Sequence, residues 1–237
     1  MLYSYIYHHP KVLAAEGLLV RLLRLSVEAW HKTGQSDDEI MRRFLTMTDT
    51  ALDTSDFTDM SYSFLAEYRY RVQNRLLPRV IFSIGGTLSH AEGDLVRAYL
   101  TSLQDKQRRP YLIAAFETSI GEELLKIDSD LASTPQAALY KTGTWVDAPK
   151  TPEIEDAEAI IGKAPATVSI NRVFPIGHWT EAYKAHRYYV RIFAFSEYAD
   201  KVERAARSAI ESVIGIKSND FFESARKMRI VSPAIKS

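Results

Sequence analysis

The feature that most constrains the fold is a strand that leads directly into an amphipathic helix near the end of the sequence. Residues 187–195 read Arg-Tyr-Tyr-Val-Arg-Ile-Phe-Ala-Phe, and this run of β-branched and aromatic side chains predicts a strand. Residues 196–214 then repeat apolar residues at the spacing of one helical face, and Gly215 can end that helix. This βα unit points to a mixed α/β protein.

A second long helix is predicted near the start of the chain. Apolar residues recur at helical spacing over 10–32, the proline at its start suits the first helical position, and Gly34 can end it. Ser36 and Glu39 then form a capping-box pattern, which opens another helix through about Met47.

Shorter elements are predicted between these two helical regions, and one segment stays undecided. Residues 60–74 mix aromatic and charged side chains, and their periodicity does not decide between strand and helix. Further strands are predicted at 2–7, 76–84 and 110–116, and further helices at 89–103, where Ser89 and Glu92 form a capping pattern, and at 119–131, where Ser119 and Glu122 do so.

Residues 133–165 are richer in proline, glycine, threonine and acidic residues than their surroundings. This composition predicts a projecting loop or hairpin insertion, with a small acidic helix near 152–161. We therefore expect one α/β (α+β) domain over 1–237, in which a mixed β-sheet is flanked by helices and a long helix lies near the N-terminus.

The composition supports a packed core and removes several kinds of chemistry. Apolar residues make up 46% of the 237 residues, enough to bury a substantial core. Thirty basic residues balance thirty acidic ones, so no net charge draws the chain to nucleic acid or to an anionic membrane. The absence of cysteine removes disulfides, thiolate ligands and thiol nucleophiles, and fits a protein made in a reducing cytosol.

The sequence predicts neither a membrane span nor a signal peptide. The longest apolar stretch, 12–27, is interrupted by Glu16, Arg21 and Arg24, and a span needs about 20 apolar residues. Residues 1–7 carry neither a positive region nor a small-residue cleavage site. We expect no membrane partner, and expect the protein to stay where it is made.

The histidines do not form a convincing metal site. His8 and His9 directly follow the strand predicted at 2–7; adjacent residues in extended backbone point to opposite faces, and the sequence offers no third ligand nearby. His178 and His186 flank Glu181, but the spacing lacks the paired i, i+4 histidines of a helical zinc site. No metal ligand is predicted.

Other catalytic patterns are equally weak. Gly85 and Gly86 after a strand resemble a phosphate-binding turn, yet the spacing of a dinucleotide motif and the lysine of a P-loop are both absent. The acids of 153–158, with Lys163 beyond them, could form a nuclease cluster but are more typical of a solvated helix face. No serine lies in a G-x-S-x-G elbow. We therefore predict that the protein is not an enzyme and that it has neither a catalytic residue nor a cofactor.

The basic and aromatic run at 68–71, followed by two more arginines, has two interpretations. Planar rings and guanidinium groups suit nucleic-acid binding, but they also dominate the anchors of protein interfaces. The zero net charge favours the protein interface. The candidate interface residues are this run, the two arginines and two residues of the last predicted strand: Tyr68, Arg69, Tyr70, Arg71, Arg75, Arg79, Tyr189 and Arg191.

Three segments together resemble a known family. They are the aromatic opening 2–7 followed by a long apolar helix, the Leu-Pro-Arg-Val strand at 77–80, and the strand 189–200 that enters a helix. In this order they are similar to the tail terminator proteins of contractile-tailed bacteriophages. The resemblance covers roughly a quarter of the chain.

The resemblance implies a structural role in a virion, for a protein made in the host cytoplasm. Proteins of this family form a hexameric ring that closes the tail tube and sheath and joins them to the neck. The expected partners are therefore further copies of this chain and the tube, sheath and neck proteins, and nucleic acid would be met only on passage through the ring lumen.

Two other functions stay open at this point. The run 68–71 and the βα unit at 187–214 also fit a nucleic-acid-binding module of the ferredoxin-like kind. The acids around Glu155 would serve a metal-dependent nuclease.

Overall fold

The architecture comes from a computed structural model that describes residues 9–48, 63–85, 92–148, 160–161, 168–169 and 189–227. These residues form eight α-helices and a small three-stranded sheet, with a separate two-stranded pair. The fold is therefore mixed α+β and mostly helical, and the predicted fold class is confirmed.

The elements follow one another along the chain with short connections between most of them. The helices are α1 (Pro10–Lys32), α2 (Asp37–Thr46), α3 (Ser63–Gln73), α4 (Gly93–Ser102), α5 (Arg109–Ile127), α6 (Pro135–Thr142), α7 (Ala199–Ile214) and α8 (Asn219–Lys227). The strands are β1 (Arg79–Gly85), β2 (Trp145–Asp147), β3 (Ile160–Ile161), β4 (Val168–Ser169) and β5 (Tyr189–Ala194). The larger sheet has the order β1-β5-β2, and β3 pairs antiparallel with β4.

The predicted helices α1 and α2 are confirmed, as are the proline at the start of α1 and the capping box of α2. His9 precedes α1, and its Nδ1 accepts a hydrogen bond from the Lys11 N–H at 3.2 Å. At α2, Ser36 N donates to Glu39 Oε2 at 2.7 Å, and Glu39 N donates to Ser36 Oγ at 3.4 Å. This capping box satisfies two backbone donors that the start of a helix leaves unpaired.

The undecided segment 60–74 contains helix α3. Leu65 and Tyr68 are buried three positions apart, and Phe64 and Val72 pack against the same core. A spacing of three to four residues is the period of a helix, so burial decides what the sequence pattern left open.

The strand predicted at 110–116 is wrong, because these residues belong to helix α5. Within α5, Phe116, Ile120 and Leu124 are buried at a spacing of four residues. Pro110 lies in the first turn, where its missing N–H costs nothing. The helix predicted at 119–131 is therefore the second half of a longer helix, and the capping pattern of Ser119 does not begin it.

The projecting insertion predicted at 133–165 is wrong for its first part. Residues 135–147 form α6 and β2, and most of them are buried. Thr134 caps α6, and Gly143 ends it with a left-handed φ of +62°. The acidic helix predicted near 152–161 lies outside the described residues, except that Ile160–Ile161 is strand β3.

The chain groups into two compact units, and the first comprises 1–81, 117–147 and 192–208. Its core surrounds α1 and α3, and the Trp145 ring stacks on Phe193 with 5.0 Å between centroids. Gly17 makes this packing possible, because a Cβ there would lie 2.4 Å from the Trp145 ring. The buried members of this core are Ala14, Leu18, Leu22, Leu25, Ala29, Leu65, Tyr68, Val80, Tyr140, Trp145, Phe193 and Phe195.

The second unit comprises 82–116, 148–191 and 209–237. Aromatic pairs mark its core: the Phe82 ring lies 5.9 Å from the Phe222 ring, and the Tyr99 ring lies 6.0 Å from the Phe116 ring.

The capping pattern predicted from Ser89 and Glu92 does not begin α4. The Glu92 side chain makes no capping hydrogen bond to α4 but accepts hydrogen bonds from the backbone N–H groups of 217 and 218, and Ser89 lies outside the described residues. Whether the chain folds as one domain stays a prediction.

No described helix combines the length and the apolarity that crossing a membrane requires.

Candidate interaction surface

Four exposed side chains lie where α3 ends and β1 begins, and we call Tyr70, Arg75, Leu76 and Arg79 the α3–β1 corner. Tyr70 is 58% exposed and Leu76 is 45% exposed, while both arginines are exposed. Exposed tyrosine and arginine beside an apolar side chain is the composition of binding hot spots. Three of the predicted interface residues are therefore accessible.

The corner is held by a regular helix ending. Arg75 N donates to Val72 O at 3.2 Å, and Leu76 N donates to Arg71 O at 2.9 Å. These two bonds form a Schellman motif, which places Arg75 at the residue just after the helix. The backbone that carries the exposed side chains is thus well fixed.

Arg75 adopts a left-handed conformation with a φ of +54°. For a residue with a Cβ this conformation costs about 1–2 kcal/mol, and glycine is the usual residue at this position of the motif. An arginine in this place therefore lowers stability. The cost favours a role for the Arg75 side chain outside the folded chain itself.

The charge of this part of the chain has one sign. Residues 68–79 contain four arginines and no acidic residue. Two of these arginines, Arg75 and Arg79, are exposed at the corner, so the surface is basic although the whole chain is neutral. An acidic partner surface would complement it.

Tyr68 is not part of this surface, and its prediction as an interface anchor is wrong. Its side chain is fully buried, and its ring lies 5.7 Å from Phe195 in an edge-on contact. Burial raises the pKa of the Tyr68 hydroxyl well above its ordinary value. On a strand, Tyr68 and Tyr70 would share a face, but on helix α3 they point in different directions.

Arg71 also acts within the protein. Its guanidinium group pairs with Glu67 at 2.7 Å and with Glu197, and its central carbon lies 3.7 Å from the centroid of the Phe195 ring. Arg71 therefore fastens the end of α3 to the turn that precedes α7. Its side chain is mostly buried, so Arg71 stabilises the end of α3 that carries the corner instead of belonging to the exposed surface.

The Arg71–Glu197 pair should contribute stability that depends on pH. Burial is the largest single influence and raises the pKa of Glu197, but the hydrogen bond from Arg71, a backbone hydrogen bond and the charge of Arg71 together lower the pKa below its ordinary value. The contribution is therefore present above the unfolded pKa and lost as the pH falls through the lower folded pKa. At pH 7 we expect the free energy of unfolding of wild type to exceed that of Glu197→Gln by about 0.2–1 kcal/mol. The difference is small because Glu197 is half exposed, and it should vanish in acid. Urea denaturation of both proteins across this pH range measures it, and a difference that does not change with pH would contradict it.

The remaining predicted interface residues do not extend the corner. Arg69 and Arg191 are half-buried, and Arg191 belongs to the second unit. Tyr189 lies in β5, and its side chain is outside the described residues.

The sequence did not predict a buried ion pair in the first unit. Arg21 is 3% exposed, and its Nη2 donates to Glu117 Oε1 at 2.7 Å. The same oxygen accepts the Val146 N–H at 2.9 Å, so the carboxylate joins α1 to β2. The guanidinium group lies 5.8 Å from the Tyr140 ring and 5.7 Å from the Trp145 ring.

One signal of this pair was present in the sequence. Leu18, Arg21, Leu22 and Leu25 share one helical face, so a charge on that face had to be buried and had to find a partner. The identity of the partner could not be read, because Glu117 lies 96 positions away.

The described residues provide no support for the metal-binding and catalytic candidates. Within the described part of the chain, no three histidine, cysteine, aspartate or glutamate side chains meet in a group that could hold a metal ion. The predicted candidates His8, His178, Glu181, His186, Gly86, Lys163 and the acids of 153–158 lie outside the described residues.

No family model, curated protein or solved structure matches this chain.

Proposed function

We propose that this protein is a virion structural subunit of the tail terminator or neck type. It associates with copies of itself into a ring, which the resemblance implies is a hexamer, and it joins the tail tube and sheath to the neck. It acts as a scaffold, without catalysis and without a cofactor. The observation that carries the proposal is the exposed α3–β1 corner, where Arg75 occupies a conformation that destabilises the fold.

The packing of the resembling segments supports the proposal. Helix α1, the 77–80 segment and the 189–200 segment all contribute to one core, through Leu18, Val80 and Phe195 among others. The described parts of these segments that belong to the first unit, residues 10–32, 77–80 and 192–200, therefore pack in one core. Neutral net charge also lets identical subunits approach without strong repulsion.

The substitution Arg75→Gly tests the proposal, because it separates association from stability. Glycine relieves the left-handed backbone, so we expect the free energy of unfolding to rise by about 1 kcal/mol. We expect the same variant to lose association, because the exposed guanidinium group is gone. Urea denaturation measures the first effect, and light scattering after size-exclusion chromatography measures the second.

Two further measurements complete this test. Arg204→Gly would weaken helix α7, so the matched control is Arg204→Ala, which removes an exposed arginine from the same unit and should leave association unchanged. Electron microscopy and mass spectrometry of purified particles should place the wild-type protein at the neck. A strictly monomeric protein that is absent from particles contradicts the proposal.

The same corner is the one observation that favours nucleic-acid binding as a second function. Exposed Tyr70 can stack on a base, and Arg75 and Arg79 can neutralise phosphates. This function predicts a monomer that binds short DNA or RNA with a strong dependence on salt, instead of a ring.

A further inference from the structure

A second exposed surface of the first unit lies on helix α2, and we call Asp37, Asp38, Met41 and Leu45 the α2 face. Met41 is 58% exposed and Leu45 is 78% exposed, one turn apart on the helix. Both aspartates are exposed in the first turn. The face is therefore apolar along the helix and acidic at its N-terminal end.

The opposite side of α2 is fixed to the body of the unit. Ile40 is buried against Trp30, and the Phe44 ring lies 5.8 Å from the Trp30 ring. Arg43 also covers Trp30, with its guanidinium carbon 5.1 Å from the ring centroid. Helix α2 thus presents Met41 and Leu45 on a supported scaffold.

Helix capping accounts for only part of this face. Glu39 completes the capping box, and aspartates in a first turn stabilise a helix by interacting with its dipole. Asp37 also lies 3.4 Å from His31 Nε2. None of these contacts explains why two large apolar side chains, Met41 and Leu45, stand exposed on the same helix.

The α2 face and the α3–β1 corner are complementary in two respects. The face offers two aspartates beside two apolar side chains, and the corner offers two arginines beside Tyr70 and Leu76. Opposite charges around an apolar centre give both orientation and affinity to a protein interface.

We infer that the α2 face of one copy docks on the α3–β1 corner of the next copy. This inference rests on the proposed function, since it names the contact through which the subunits associate. Because the two surfaces differ, the contact is heterologous, and repeating it produces a closed ring or an open filament. Each surface has only two large apolar side chains, so a single contact is weak. Closing a ring stabilises the assembly, because every subunit then makes two contacts, one through each surface.

Charge reversal tests the contact. We expect Asp37→Lys with Asp38→Lys to abolish association, and expect Arg75→Glu with Arg79→Glu to do the same, because like charges then meet. Leu45→Gln should weaken association without altering the acidic end of the helix. Analytical ultracentrifugation measures the species, and circular dichroism confirms that each variant is folded.

Mixing the two charge-reversed variants gives the sharpest result. A lysine-substituted chain keeps its own corner, and a glutamate-substituted chain keeps its own α2 face. The lysine face of the first chain also complements the glutamate corner of the second chain. A head-to-tail contact therefore predicts that the mixture assembles again, with the two chains alternating in equal numbers, and that a chain carrying both reversals assembles too. Glu122→Lys and Arg204→Glu reverse exposed charges elsewhere on the first unit and should leave association as in wild type.

The outcomes separate this inference from the proposed function. If wild type forms rings and the reversed variants still form them, the contact is wrong and the proposed function stands. If the mixture of variants and the doubly reversed chain both stay unassembled although each chain is folded, the two surfaces do not contact each other and the inference is overturned. A wild type that stays monomeric also overturns the contact, and the presence of the protein in particles then decides the proposed function separately.

Discussion

Replacing Glu117 by alanine will destabilise the protein by about 3–5 kcal/mol, because it leaves the buried Arg21 guanidinium without its partner. Arginine stays charged at all accessible pH values, so the variant cannot escape this cost by losing a proton. The Val146 N–H also loses its acceptor. We expect the melting temperature to fall on the order of 10 °C, as measured by circular dichroism or calorimetry.

The matched controls identify the cause of this loss. Glu117→Gln keeps an acceptor for Arg21 and Val146 and should cost less than alanine. Arg21→Met with Glu117→Leu removes both charges and fills the space with apolar atoms, so it should recover most of the stability. If the double variant is as unstable as Glu117→Ala, the ion pair is not the reason for the effect.

Local patterns were sufficient for the longest elements. Helix α1 and the β5–α7 unit each carry apolar residues at a regular spacing, and α2 begins with a complete capping box, so neighbouring residues alone specify them. The same was not true of 110–116, where seven consecutive mostly apolar residues fit a strand or a helix. Burial at every fourth residue of α5 decided that case, and burial depends on the rest of the fold.

For the interaction surface too, the sequence predicted only what depends on neighbouring residues. The sequence indicated the run of aromatic and arginine residues, but it could not tell the buried Tyr68 from the exposed Tyr70, because that distinction requires the helical state of α3. It also could not show that Arg71 pairs with Glu197, which lies 126 positions away. Contacts between distant segments separated the supporting residues from the accessible ones.

Replacing Gly143 by alanine should destabilise the protein by about 2–4 kcal/mol for two independent reasons. The residue has a left-handed φ of +62°, which costs a residue with a Cβ about 1–2 kcal/mol. A Cβ would also lie 2.5 Å from the Phe195 ring, and forcing an extra methyl group into a packed core costs about 1–3 kcal/mol. Urea denaturation of the variant measures the sum.

Gly34→Ala separates the two contributions to this cost. Gly34 has a φ of +86°, but no atom lies within 4 Å of the position of its Cβ, so the variant should suffer only the backbone cost. Equal losses in the two variants would show that Phe195 moves aside freely. Because Phe195 contacts both Tyr68 and the Arg71 guanidinium group, a displaced ring should disturb the end of α3. Gly143→Ala should therefore weaken association through the α3–β1 corner, whereas Gly34→Ala should leave it unchanged.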